Sequence, residues 1–200
     1  MCGIIGLIAT PWQDSAPAAL ATIRSRGPDE QQLWRGREAC LGNTRLAVID
    51  PAGGRQPMLS PDGRYVLVHN GEIYNFRELR AQLEARGQVF ATRSDTEVLL
   101  HGYAAWGAQL PARLDGMFAF AVWDTAERTL FAARDRIGVK PLFYSTQDGL
   151  AFASTLEAFF ALRGFPRRLD YEALRDFLAF QACLAPHSFL RDVRQLPPAS

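Results

Sequence analysis

The 200-residue chain has few cysteines, no surplus of charge and no long apolar run. Its cysteines, Cys2, Cys40 and Cys183, follow no spacing typical of disulfide frameworks or metal sites, which favours a reducing cytoplasm. With 22 basic and 21 acidic residues, the net charge of +1 gives no electrostatic footprint for nucleic acid. No segment reaches the roughly 18 consecutive apolar residues of a membrane-spanning helix. We therefore expect a cytoplasmic protein without nucleic-acid or membrane partners.

The N terminus reads MCGIIGLIA, with a cysteine directly behind the initiator methionine. A secretion signal is excluded because no basic region precedes the apolar run, and Pro11 and Asp14 end it early. The apolar run itself predicts a buried strand over 3–9. Cys2 is then either a buried, unreactive thiol or a nucleophile that becomes the first residue when Met1 is removed. Cys40 and Cys183 lie in apolar stretches and are interpreted as inert packing residues.

Strands are predicted in clusters, with helices grouped between them, which favours an α+β fold over βαβ winding. The almost wholly apolar segment 116–123 predicts a strand covered on both faces. A capping box at Ser94–Glu97 marks the start of one helix. Predicted helices cover 17–23, 75–86, 94–107, 156–163 and 171–181; predicted strands cover 3–9, 39–50 with a break near 42–43, 65–69, 116–123, 129–133, 140–145 and 150–153. The apolar strands predict two sheets packed together inside helical layers.

Several motifs, in order along residues 1–155, resemble the glutaminase domain of the asparagine-synthetase group. They read MCGIIG, RGPDE, TRLAVID, the QP of GGRQPM, HNGEIYNFREL, SDTEVLL, LDGMFAFAVWD, ARDRIGVKPLFY and LAFAST. These glutaminase domains are class II glutamine amidotransferases among the N-terminal-nucleophile hydrolases. The resemblance implies a four-layer αββα sandwich of two mainly antiparallel sheets between helices. It implies no cofactor or metal in this domain, with ATP and magnesium confined to a synthetase domain.

The resemblance makes Cys2 the nucleophile. An α-amino group titrates near ~7.7–8.0, so the freed amine of Cys2 can act as the base for its own thiol. It also implies that Asn70 and Gly71 hold the oxyanion; without the resemblance, Asn-Gly would be read as a hairpin turn. The loop containing Arg26 and Asp29 lies near the active site in the family, and Asp29 is interpreted as mainly loop-forming.

Glutamine is a zwitterion, so its pocket needs groups of both charges. The resemblance implies that Arg45 forks onto the α-carboxylate and that Asp95, with Glu72, receives the α-ammonium. The alternatives are a surface strand charge for Arg45 and a first-turn helix acid for Asp95. The segments Arg134-Asp135 and 138–144 match a region expected beside the synthetase domain, with either a structural or a functional role.

Two departures from the family pattern stand out. In the family the strand before the last helix usually ends in Ser-Glu; here it reads Ser154-Thr155, with the acid displaced to Glu157. The Ser-Gly-Gly pyrophosphate loop of the synthetase half is absent from these 200 residues. We expect a glutaminase domain over 1–165 and a C-terminal helix and linker over 166–200, leading toward a synthetase domain or subunit.

The predicted function is hydrolysis of the glutamine side-chain amide through a Cys2 thioester. The products are glutamate and ammonia, the latter for an asparagine-synthetase-like partner. Two alternatives stay open: a catalytically idle interaction domain of the same fold, and an N-terminal-cysteine hydrolase of another amide. An oligomer is possible.

Overall fold

A computed structural model describes all 200 residues, Met1–Ser200. Ten strands, paired only in antiparallel fashion, form two sheets. The strands are β1 (Gly3–Ile8), β2 (Glu30–Arg35), β3 (Ala39–Arg45), β4 (Met58–Leu59), β5 (Tyr65–Ile73), β6 (Gly116–Asp124), β7 (Thr129–Arg134), β8 (Phe143–Ser145), β9 (Leu150–Ala153) and β10 (Arg194–Gln195). The helices are α1 (Ala16–Thr22), α2 (Phe76–Glu84), α3 (Asp95–Trp106), α4 (Glu157–Phe160) and α5 (Tyr171–Phe180).

The two sheets pack face to face, with helices on both outer faces. Sheet I has the strand order β10-β8-β9-β1-β3-β2, and sheet II has the order β4-β5-β6-β7. Residues of α1 and α4, such as Leu20 and Phe159, pack on the outer face of sheet I. Residues of α2 and α3, such as Leu83 and Leu99, cover sheet II. A third cluster containing Ile4 and Val68 fills the space between the sheets. The predicted four-layer αββα sandwich is confirmed.

Strand β1 fixes the position of the chain's N terminus. All six of its residues are buried, and it lies between β3 and β9 inside sheet I. Gly6 permits this packing, because a Cβ atom there would lie 2.0 Å from the Phe152 ring. The position of Cys2, which directly precedes Gly3, is therefore fixed by a buried central strand.

Strand β6 confirms the prediction of an apolar strand covered on both faces. Phe120 and Val122 belong to the core beneath the helices of sheet II. Ala119 and Ala121 belong to the core between the sheets. Because side chains alternate across a strand, both faces had to be apolar.

Strands β2 and β3 depart from the predicted boundaries. The predicted break near Gly42 and Asn43 is absent, because these residues pair in register with Ile5 and Ile4. The predicted strand over 39–50 instead ends at Arg45, where the chain turns into a loop. Strand β2 was not predicted, because its sequence EQQLWR is largely polar. It forms the edge of sheet I, where one side faces solvent.

Several helices and short strands also differ in extent from the sequence prediction. Helix α4 covers only Glu157–Phe160, and β8 begins at Phe143 rather than at position 140. The C-terminal segment returns to the sandwich through β10, which pairs with β8 at the edge of sheet I. None of the helices has the length and apolar character needed to cross a bilayer.

Candidate functional site

A pocket opens at one end of the sandwich, where β1 begins and β3 ends. Its lining also includes residues of β5, the first residue of α3 and the loop that follows β7. It brings together all six site residues predicted from the sequence: Cys2, Arg45, Asn70, Gly71, Glu72 and Asp95. Residues distant in sequence meet here because antiparallel pairing places the start of β1 beside the end of β3, close to the last residues of β5.

Cys2 precedes β1 directly and is only partly exposed. Its thiol donates to the backbone oxygen of Leu46, with 3.7 Å between sulfur and oxygen. Burial raises the pKa of the Cys2 thiol. The backbone at Leu46, the α-amino group of Met1 and the charge of Arg45 oppose this shift, and Asp95 adds to it. The thiol is therefore mainly protonated at neutral pH, so its reaction requires a nearby base.

Arg26 holds Cys2 from the other side. Its Nε donates to the Cys2 carbonyl oxygen at 3.0 Å. One terminal nitrogen of Arg26 is buried without a partner, as is the hydroxyl of Thr155. Burial lowers the pKa of Arg26, and the charges of Cys2 and Glu157 oppose that shift. The displaced acid Glu157 thus acts electrostatically on the arginine that fixes the backbone of Cys2.

The Asn-Gly pair lies inside β5, which excludes the hairpin-turn alternative and corrects the expectation that it follows the strand. Asn70 pairs with Ala119 and Gly71 with Phe118 on β6. A Cβ atom at position 71 would lie 2.1 Å from the carbonyl oxygen of Met117. Only glycine therefore fits at this close approach of the two strands.

The backbone N–H of Gly71 points away from β6. Tyr74 donates its N–H to Asp115 O, so the alternation of an antiparallel ladder directs the odd-numbered N–H groups of β5 to the opposite edge. There the N–H of His69 donates to Gln56 Oε1 at 2.6 Å, and that of Ile73 to Asp95 Oδ2 at 3.1 Å. Strand β4 reaches only as far as Leu67. The N–H of Gly71 therefore lies on the open edge beside the pocket.

The Asn70 side chain is fully buried, and neither its oxygen nor its nitrogen has a hydrogen-bond partner. Buried amides in folded proteins are almost always bonded. An unpartnered amide and an open backbone N–H that line one pocket with a thiol form a suitable pair of donors for an oxyanion. The prediction for these two residues fits this arrangement.

Asp95 is the first residue of α3 and is 5% exposed. Ser94 caps the helix by accepting from Glu97 N at 3.2 Å, which confirms one arm of the predicted capping box. The other arm differs, since the Glu97 carboxylate accepts from the backbone of Ala91 and Thr92. Asp95 Oδ2 is taken by Ile73 N, which leaves Oδ1 for a ligand. Glu72 lies beside it at the pocket wall.

Arg45 is 4% exposed, which excludes the alternative of a surface charge. Its two terminal nitrogens donate to the carbonyl oxygens of Pro51 and Asp50, each at 2.7 Å. Longer contacts of 3.4 Å reach Glu30 and Ile49. The guanidinium thus holds the loop over 49–51, and its Nε remains without a protein partner. A forked contact with a carboxylate would require the 3.4 Å contacts to break.

The contacts of Asp29 confirm the prediction that it is mainly a loop-forming residue. Its carboxylate accepts from Ala47 N at 2.8 Å, and its own N–H donates to Arg45 O at 3.1 Å. The loop containing Arg26 and Asp29 is thereby bound to the segment that leaves β3. Both residues act on the backbone of the pocket wall.

Sequence reasoning gave no specific role to two buried polar residues of the pocket. Gln56 is 5% exposed and bonds the backbone of β5 at His69. Lys140 is 4% exposed and lines the pocket with Cys2 and Asn70. Lys140 is the only lysine in the sequence, which is the signal that could have singled it out. No group of three or more His, Cys, Asp or Glu side chains is arranged to bind a metal ion.

A family model described as the glutamine amidotransferase domain matches residues 1–200. The chain belongs to this family. The family assignment agrees with the geometry, because the predicted nucleophile, oxyanion donors and charged groups of this glutamine amidotransferase domain meet in one pocket.

Similar proteins include two that are described as asparagine synthetases, one of them as putative. The chain is 38% identical to asparagine synthetase [glutamine-hydrolyzing] 3 of Bacillus subtilis, over all of this chain and 34% of that protein. It is 42% identical to a putative asparagine synthetase [glutamine-hydrolyzing] of Mycobacterium tuberculosis, over 98% of this chain and 34% of that protein. The chain therefore spans about one third of the length of these relatives.

Solved structures carry the same fold. Glutamine phosphoribosylpyrophosphate amidotransferase from Bacillus subtilis, complexed with ADP and GMP, superposes with a TM-score of 0.66 at 23% identity. The match covers 84% of this glutamine amidotransferase domain and 45% of that chain. A structure described as the allosteric regulatory enzyme of purine biosynthesis gives a TM-score of 0.65 at 25% identity, over 80% of this chain and 43% of that one.

Proposed function

We propose that this domain hydrolyses the side-chain amide of glutamine through a thioester on Cys2. The observation that carries the proposal is the placement of the thiol in one pocket with an unpartnered Asn70 amide and the open N–H of Gly71. These are the nucleophile and two donors that amide hydrolysis requires.

The reaction begins when Met1 is removed and Cys2 carries the free α-amine. The amine takes the thiol proton, and sulfur attacks the amide carbon of glutamine. Asn70 Nδ2 and Gly71 N–H bind the resulting oxyanion. The protonated amine then gives its proton to the departing nitrogen, the carbon–nitrogen bond breaks, and ammonia leaves. Water attacks the thioester, releases glutamate and restores the thiol.

Specificity for an amino acid comes from the charges around the pocket. Asp95 Oδ1 and Glu72 receive the α-ammonium of glutamine, and Arg45 offers its charge and Nε to the α-carboxylate. These charges favour glutamine over a simple amide. The intact set of groups, together with the unpartnered Asn70 amide, also favours an active domain over an idle interaction domain of the same fold.

The acceptor of the ammonia lies in the part of the relatives that this chain does not span. Because both relatives are described as glutamine-hydrolysing asparagine synthetases, we propose a synthetase domain or subunit of that type as the partner. ATP and magnesium would act there. The three free cysteines suit a reducing cytoplasm, where we place the reaction.

The test is release of ammonia and glutamate from glutamine, measured in the presence of the synthetase partner. Cys2→Ala should abolish release. Cys183→Ala is the matched control, because its thiol bonds the His187 carbonyl far from the pocket and should not affect turnover. Asparagine and a simple acyl amide serve as alternative substrates. Hydrolysis by Cys2→Ala, or equal use of the simple amide, would contradict the proposal.

A further inference from the structure

Lys140 is the only lysine of the sequence and one of three buried cations, together with Arg45 and Arg134. The side chains of both arginines donate to backbone carbonyl oxygens. Lys140 is 4% exposed and lines the pocket that contains Cys2 and Asn70, yet its hydrogen bonds run entirely through its backbone. Its ammonium is therefore free to bond a group of the pocket.

The backbone of Lys140 is fixed by the two residues at the end of β7. Asp135 accepts from the backbone N–H of Lys140 at 3.0 Å and from that of Val139 at 2.8 Å. Arg134 Nε donates to the carbonyl oxygen of Lys140 at 2.7 Å. The Arg134-Asp135 motif therefore has a structural role. Its two side chains fix the backbone of the loop that contributes Lys140 to the pocket.

Lys140 and Asn70 line the same pocket. Asn70, Ala119 and Arg134 lie opposite one another across β5, β6 and β7, so their side chains share the face between the sheets. Arg134 binds the carbonyl oxygen of Lys140 from that face. The loop therefore brings Lys140 to the end of the sheet where Asn70 lies.

The Asn70 amide needs an external group to set its orientation. Its nitrogen must face the oxyanion, yet no protein group bonds either its oxygen or its nitrogen. The other side-chain cation of the pocket, Arg45, has its terminal nitrogens committed to the loop over 49–51. His69 lies on the opposite face of β5, where its Nδ1 is 3.4 Å from Thr96 Oγ1. Of the two cationic side chains that line the pocket, Lys140 is the one that makes no hydrogen bond, so it is available as the donor for the amide oxygen.

We propose that Lys140 is a positioning residue whose ammonium donates to Asn70 Oδ1 and so directs Asn70 Nδ2 at the oxyanion. Its positive charge also polarises the amide, which strengthens the N–H donor when negative charge develops. The inference rests on the proposed glutamine hydrolysis and assigns a further residue to that reaction. Asp135 and Arg134 contribute to the reaction indirectly, because they fix the backbone of Lys140.

The test compares Lys140→Met with wild type in the full-length protein, with glutamate release as the assay. Loss of an oxyanion donor costs about 10²–10³ in kcat. Loss of the donor's orientation should cost less, so we expect kcat to fall roughly 10- to 100-fold, with KM for glutamine nearly unchanged. Lys140→Arg keeps a charged donor and should restore part of kcat. Arg136→Met, in the same loop but exposed, is the control and should behave as wild type.

A double variant separates positioning from a general structural effect. If Lys140 acts through Asn70, Lys140→Met should cost nothing further once Asn70→Ala has removed the amide. Alkylation of Cys2 by iodoacetamide, which needs no oxyanion donor, should proceed at the wild-type rate in Lys140→Met. An unchanged kcat in Lys140→Met, or additive losses in the double variant, would overturn the inference while leaving the proposed function intact. A wild-type protein that releases no glutamate with its partner present would overturn both.

Discussion

At the scale of single residues, the pocket is marked by polar groups that the fold leaves unpartnered. The Asn70 amide, the N–H of Gly71 and Asp95 Oδ1 all face a space where a ligand can bond them. Proteins rarely bury such groups without partners. The zwitterion and amide of glutamine supply the matching charges and the matching oxygen.

The pocket residues could be predicted from the sequence, but their hydrogen-bond partners in the folded protein could not. Cys2, Asn70 and Asp95 were identified because they stand in distinctive motifs. That Arg45 donates to Pro51 O and Asp50 O could not be predicted, because the contact depends on the path of a glycine-rich loop. The position of Lys140 depends likewise on tertiary contacts with Arg134 and Asp135.

His69 provides a pH test at this scale. Burial lowers the pKa of His69, and the charge of Lys140 lowers it further, while Asp95 opposes the shift. Below about pH 6.5 the unfolded chain therefore binds a proton that the folded protein does not. Stability should fall by up to about 1.4 kcal/mol per pH unit as pH drops from 6.5. Urea unfolding at pH 5 to 8 measures this slope.

His69→Gln removes the titrating group and should flatten the slope over the same pH range. The free energy of unfolding at pH 7 then serves as the reference for each protein. An equally steep fall in the variant would show that another group binds the proton, and would contradict the assignment to His69.

At the scale of elements, local patterns succeed where the apolar content or the end signal of an element is strong. Strand β6 was predicted because it is apolar on both faces, and helix α3 because a capping box marks its start. Strand β2 was missed because an edge strand, with one side facing solvent, can be largely polar. The predicted break in β3 was wrong because Gly42 continues the strand and packs beneath α1. A Cβ atom at Gly42 would approach the Leu20 methyl groups at 3.1 Å. Only the packed structure reveals that reason for a glycine.

Helix α3 connects stability to substrate binding, because its N-cap Ser94 directly precedes Asp95. Ser94→Ala should destabilise the protein by about 1 kcal/mol, or roughly 2–4 °C in Tm, and should raise KM for glutamine. Asp170→Ala is the matched control, since Asp170 caps α5 through Glu172 N and Ala173 N. It should cost similar stability without changing KM. Equal KM values for the two variants would argue that α3 does not position the ammonium site.

At the scale of the whole molecule, the four layers place a strand end, a helix start and a loop around one pocket. The sandwich was predictable, but the strand order of sheet I was not, because it joins β8, β9 and β10 to strands formed more than a hundred residues earlier. Arg134 contributes to this long-range organisation. Its guanidinium donates to the carbonyl oxygens of Gly138, Lys140 and Leu196, and so connects the C-terminal segment with the loop of the pocket.

Arg134→Leu should therefore destabilise the protein strongly. Three carbonyl oxygens lose a buried charged donor, and each unsatisfied buried group costs about 1–3 kcal/mol, so we expect at least about 3 kcal/mol in urea unfolding. Arg128→Leu is the control, because its ion pair with Glu38 lies at the surface and is worth about 1 kcal/mol or less. Similar losses in both variants would contradict the role of Arg134 as a connection between segments.

The central claim is that Cys2, once Met1 is removed, carries the acyl intermediate of glutamine hydrolysis. The other two thiols, Cys40 and Cys183, do not line the pocket, so neither is expected to compete. The most direct measurement is mass spectrometry of peptides from a reaction with glutamine that is stopped by acid during turnover. We predict an N-terminal peptide that begins at Cys2 and carries a glutamyl group. Turnover with Met1 retained, or a glutamyl group found on another residue, would contradict the account.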